Sequence, residues 1–116
     1  MKVLFVETGK EPRVLEIEHT LEAMRTLVQG DIEAIYPFPD EIALVDNDEG
    51  KLIGLPPNRV VGGDIIAGNF FLAGVNEEDF CDISEDLAER YTDFFRYPDV
   101  FIPTPEGTLI VLRRKA

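Results

Sequence analysis

Tryptophan is absent, and cysteine and histidine occur once each, as Cys81 and His19. A single thiol cannot close an intramolecular disulfide, and a chain without disulfides suits a reducing cytoplasm, so a cytosolic protein is expected. Zinc and other soft-metal sites need several Cys or His ligands at matched spacing, so no metal is expected either. His19 stands just ahead of a helix cap and reads as a surface residue. Cys81 lies between Asp79 and Asp82, a setting that does not favour a nucleophilic thiolate; it reads as a buried structural cysteine.

Positive charge is also scarce. Eleven Lys and Arg face 23 Asp and Glu, a formal net charge of −12. Binding a nucleic-acid backbone or an anionic membrane needs clustered Lys and Arg. The one basic run, Arg113-Arg114-Lys115, reads as a solvated tail, so neither partner is expected. No apolar stretch reaches membrane-spanning length. The opening MKVLFVETGK turns acidic at Glu7, too soon for a secretory signal core. Phosphate-cradling and nucleophile-elbow patterns are missing, and no cofactor is expected. Asp46, Asp48 and Glu49 beside Gly50 look like the start of a calcium loop. That loop needs Gly at its sixth position and Glu at its twelfth; counted from Asp46, Gly50 is fifth and Pro57 is twelfth, so a turn is the better reading.

What remains is an ordinary globular chain. Its 116 residues, 45% of them apolar, suffice for one domain spanning 1–116 with a core of its own. Lys2–Glu7 and Arg13–Glu18 read as strands joined by a Gly/Pro turn. Thr20 caps a short amphipathic helix over Thr20–Gln29, which Gly30 closes. Asp31–Tyr36 and Ile42–Val45 read as strands, and Asp46–Gly50 as a hairpin turn leading back through Lys51–Leu55. Pro56-Pro57 is expected to end regular structure. Asp64–Val75, the longest apolar run, reads as one buried strand, with Gly68 marking a bulge or a close approach to the backbone. Ser84 caps a second helix ending near Tyr97, before Pro98. Val100–Ile102 and Thr108–Leu112 form a final hairpin. Hairpin signals outnumber helical crossovers. The expectation is an α+β fold with a mostly antiparallel sheet and two helices packed on it.

Three places hold residues with chemical potential. Asp64, opening the apolar run, is the single carboxylate in an apolar setting suited to general acid–base work, although a turn or strand-entry role is the better reading. A conventional hydrolase, transferase or redox constellation is missing, and no catalytic residue is assigned. Asn58 and Arg59 follow two stiffening prolines. There a planar donor fork is suited to phosphate or carboxylate. Tyr36 and Phe38, at the end of a neighbouring strand, offer aromatic faces for a ring. These four are the candidate ligand-binding residues, and an internal ion pair is the alternative for Arg59. Glu85, Glu89 and Asp93, on the second helix, make a candidate acidic face for a protein partner.

The segments EAIYPF (Glu33–Phe38), GLPPNR (Gly54–Arg59), DIIAGNFFLAG (Asp64–Gly74) and EEDFC (Glu77–Cys81) together resemble a family of small bacterial and phage proteins known as a domain of unknown function. The resemblance spans nearly the whole chain. It implies a mobile-element setting, in which small non-enzymatic proteins counter host defences, and it carries no catalytic residues across.

Two functions follow as expectations. One is a non-catalytic binder of an anionic or nucleotide-like small molecule, sequestering a signal, with a homo-oligomer built through exposed strand edges. The other is an acidic module that binds or inhibits a host protein, in one version by imitating DNA. Behind these two stand a structural or accessory domain and an enzyme of a kind that leaves no sequence signature.

Overall fold

In the computed structural model, which describes residues 1–113, the chain runs through β1 (Lys2–Val6), β2 (Arg13–Glu16), α1 (Leu21–Val28), β3 (Ile32–Ile35), β4 (Ile42–Asn47), β5 (Pro57–Val61), β6 (Asp64–Ala67), β7 (Phe70–Val75), β8 (Phe80–Cys81), α2 (Glu85–Phe95), β9 (Val100–Pro103) and β10 (Leu109–Leu112). The main sheet has the order β2-β1-β7-β4-β3, with β8 pairing the far end of β7. Every pairing in it is antiparallel. The expected α+β architecture, an antiparallel sheet carrying two helices, is the fold of the described residues.

Strand alternation explains the two-sided core. Val3, Phe5, Ala43, Val45, Phe71 and Ala73 point to one face, where α1 covers them with Met24 and Val28. Leu4, Val6, Ile42, Leu44, Phe70 and Leu72 point to the other. There α2 lays down Ala88, Tyr91 and Phe95, and β5 and β6 add Val61 and Ile66. Because successive side chains of a strand face opposite ways, a sheet covered on both faces reads as continuous apolar runs, as β4 and β7 do. The helix starts follow the sequence, whereas the left-handed residue that closes α1 is Gln29, at φ +64°, rather than Gly30. The Thr20 hydroxyl accepts from the Ala23 amide at 3.1 Å, and the Ser84 hydroxyl accepts from the Leu87 amide at 3.2 Å.

Four further expectations are corrected. Lys51–Leu55 is not a return strand; it winds through consecutive turns, with Leu52 left in solvent. Pro56-Pro57 does not end regular structure, because Pro57 opens β5. A proline is tolerated as the first residue of a strand, where its missing amide proton is not needed, and a register shift separates Pro57 from Arg59. The run Asp64–Val75 is two strands. Gly68, at φ +84°, turns the chain out of the β5–β6 ribbon and into the main sheet. A side chain there would collide with Leu55 Cδ1, 2.6 Å from the Cβ position, so the close approach expected at Gly68 is made by Leu55. Cys81 is half-buried in β8 rather than fully buried.

The β9–β10 hairpin stands outside both layers. Val100 faces Leu112 and Ile102 faces Ile110 across it, so these four share one side, and each is between 42% and 53% exposed. Asp99 and Arg113 tie its base to the body through the Val60 amide and carbonyl. Arg114 and Lys115, most of the basic run, lie outside the described residues. No helix among the described residues is long and apolar enough to cross a membrane.

Candidate functional site

Asn58 and Arg59 sit on β5, beneath the surface, only 1% and 2% exposed. The Arg59 guanidinium donates to the Phe95 carbonyl from Nε at 3.3 Å and from Nη2 at 2.9 Å, to the Lys10 carbonyl at 2.6 Å, and to Asn58 Oδ1 at 2.7 Å. Asn58 Nδ2 in turn donates to the Val6 and Gly68 carbonyls, both at 2.9 Å. The pair thus binds together the end of β1, the turn after it, the Gly68 turn and the last turn of α2. That helix has no basic residue in its own last turn, so Arg59 supplies the positive charge that the carbonyl end of a helix favours. Burial pulls the guanidinium pKa below its usual value, and Asp99 acts against that pull. Arg59 is therefore neither at the rim of a pocket nor, as the alternative had it, in an ion pair; backbone carbonyls hold it. Phe38 packs against Tyr91, Phe94 and Phe95, with its ring centroid 4.7 Å from that of Tyr91. Tyr36 remains exposed. The four candidate ligand residues do not line one open cavity.

The acidic residues of α2 do converge. Glu85, Glu89 and Asp93, spaced one helical turn apart, line a groove of about 340 Å³ together with Val14 of β2, Ala88, Thr92 and Arg96. Val14 is exposed and Ala88 is buried, which gives the groove an apolar wall and floor. Arg96 is paired with Asp93 and with Glu11. Among the described residues Glu85 and Glu89 form no ion pair, so their charges are available to a partner.

A second acidic place was hidden in the sequence. β3 pairs β4 with Glu33 directly opposite Asp46. Both side chains point to the face that carries Ile35 and Leu44, into a cleft of about 180 Å³ bounded by the turn after β4 and by β6. Asp46 is 6% exposed, and its Oδ1 meets no hydrogen-bond donor among the described residues. Neither carboxylate has a cationic partner among the described residues. Burial, then the Glu33 charge and hydrogen bond, push the Asp46 pKa up from 3.8 to about 7. Local pattern puts Asp46 in a turn, because the apolar run of β4 stops at Val45. Facing acids can be found only once the strand register is known. Asp64, the carboxylate singled out instead, is exposed at the mouth of the same cleft, hydrogen-bonded to Lys51, which lowers its pKa. It therefore lacks the raised pKa of a neutral-pH acid.

His19 and Cys81 also line one shallow depression, with Met1, Asp79 and Asp82. His19 Nε2 lies 3.2 Å from the Asp79 carboxylate. Among the described residues no group of three or more His, Cys, Asp and Glu is arranged to hold a metal ion.

Residues 1–96 match the family described as Domain of unknown function (DUF3846), and the chain belongs to that family. No curated protein and no solved structure matches the chain. The match ends at the close of α2, so it takes in the α2 groove, the Asn58–Arg59 network and the Glu33–Asp46 cleft and leaves out the β9–β10 hairpin.

Proposed function

We propose that this protein is a non-catalytic partner-binding module whose α2 groove takes a basic segment of another protein. The observation that carries the reading is the groove itself. Two carboxylates unpaired among the described residues, Glu85 and Glu89, and a third, Asp93, flank an apolar strip of Val14 and Ala88. A basic amphipathic segment complements both features, apolar side to apolar side and cation to anion. In the mobile-element setting that the family resemblance implies, such a module counters a host protein. The nucleotide-sequestering reading has less support, because Asn58 and Arg59 are buried and their donors are engaged.

The test is titration of the protein with a Lys-rich amphipathic peptide, followed by fluorescence anisotropy at low and at physiological salt. Binding should weaken steeply with salt. It should vanish in a Glu85→Lys, Glu89→Lys, Asp93→Lys variant and persist in a control that reverses Glu22, Glu77 and Glu106. Equal loss in both variants would reduce the effect to net charge and end the proposal.

Self-association has a separate seat in the outer face of the β9–β10 ribbon, where Val100, Ile102, Ile110 and Leu112 lie side by side in solvent. An Ile102→Lys, Ile110→Glu variant should then sediment as a smaller species than the wild type. An unchanged sedimentation coefficient removes that reading.

A further inference from the structure

We propose that the Glu33–Asp46 cleft is a binding site for an alkylammonium group, taken up between the two facing carboxylates. Directly opposed residues of an antiparallel pair hold their Cβ atoms about 5 Å apart, and like charges there repel. A buried carboxylate oxygen without a donor is costly and is expected to have a partner. In the cleft Asp46 Oδ1 has none among the described residues, and Glu33 can supply only a shared proton. An ammonium group offers three donors and a full positive charge, so one group can satisfy both carboxylates. Ile35, Leu52, Ile65, Ile66 and Ala67 line the remaining walls and suit a short alkyl chain. The occupant is an organic cation rather than a metal, because no three ligating side chains gather among the described residues.

The other charged groups around the cleft are Asp48, Glu49 and Lys51 from the turn after β4 and Asp64 from β6. Lys51, the local base, is held by Asp64 at the mouth. The surroundings therefore add negative potential and leave the inner pair to the ligand. Entry of a cation displaces the proton that the pair holds near neutrality, so binding and proton release are linked.

Calorimetric titration with n-butylamine and with Nα-acetyl-lysine methylamide at pH 8 and low salt tests the site. Saturable one-site binding is expected from at least one of them, and the tighter of the two indicates whether a free amine or a protein-borne lysine is the natural source. Affinity should be about tenfold lower at pH 6 than at pH 8, as the pair takes up its proton. Asp46→Asn and Glu33→Gln should each weaken binding at least tenfold, while the remote Glu22→Gln leaves it unchanged. If Asp46→Asn does not fold, Glu33→Gln decides. Tetramethylammonium, which carries charge but no N–H donor, should not compete. Absence of saturable binding, equal affinity in Glu33→Gln, pH-independent affinity, or competition by tetramethylammonium would each overturn the proposal.

Discussion

Glu85, Glu89 and Asp93 stand in water along α2, beside the β2 edge of the sheet, whereas Asp46 is 6% exposed near the β3 edge, facing a second carboxylate. Both places are acidic and both lack enough local cations. Their physics differs because of solvent. On α2 water screens each charge, and the acids cost the fold little. In the cleft the apolar walls remove that screening, and one carboxylate is driven toward its neutral form. The same residue types therefore make a solvated acidic face in one place and a proton-sensitive pair in the other. Arg59 completes the contrast. It is a buried charge whose every direction is answered by a carbonyl, so it holds the fold together, while Asp46 keeps an oxygen unanswered among the described residues.

The largest effect expected from breaking this contrast is at Arg59. Arg59→Ala strands the Phe95 and Lys10 carbonyls and Asn58 Oδ1, and chemical denaturation should register a loss of about 3–5 kcal/mol. A loss under 1 kcal/mol would mean that water replaces the guanidinium without penalty. Next comes Asp46. Its pKa is raised in the folded state from 3.8 to about 7. Folding therefore favours the protonated form, and that stability is fully present below pH 3.8 and lost as pH rises through 7. Asp46→Asn removes the loss. The variant should match the wild type near pH 4 and exceed it by about 2–4 kcal/mol at pH 8 in denaturant melts. Parallel pH profiles for the two proteins would show that Asp46 is not held in a raised state. The smallest effect on folding is on α2, where the Glu85→Lys, Glu89→Lys, Asp93→Lys variant should shift stability by no more than about 1 kcal/mol. A larger shift would mean that these acids serve the fold rather than a partner.

The parts of this molecule legible in the sequence were those set by neighbours along the chain. Thr20 and Ser84 announced both helices, and the apolar runs at Lys2–Glu7, Ile42–Val45 and Asp64–Val75 announced the central strands, the last as one strand where the fold has two. The acidic stripe of α2 was readable because Glu85, Glu89 and Asp93 recur at the spacing of one turn. The ribbon formed by β5 and β6 was not readable. Pro57 argued against a strand, and the break at Gly68-Asn69 lay inside a run that reads as one strand, where Gly68 signals a bulge or close approach but not a change of sheet. The fate of Arg59 was equally hidden, since its partners come from Lys10 and Phe95, remote in sequence.

The sequence by itself therefore determined the α+β class, the two helices, the excess of negative charge and the absence of disulfide, phosphate-loop and nucleophile patterns. These depend on composition and on spacings of a few residues. Only the tertiary structure decided which charges are buried. Desolvation is a property of what folds over a side chain. It turned Arg59 from a candidate ligand contact into a bond between layers, and it made a facing carboxylate pair of Glu33 and Asp46 through a strand register that local pattern does not encode.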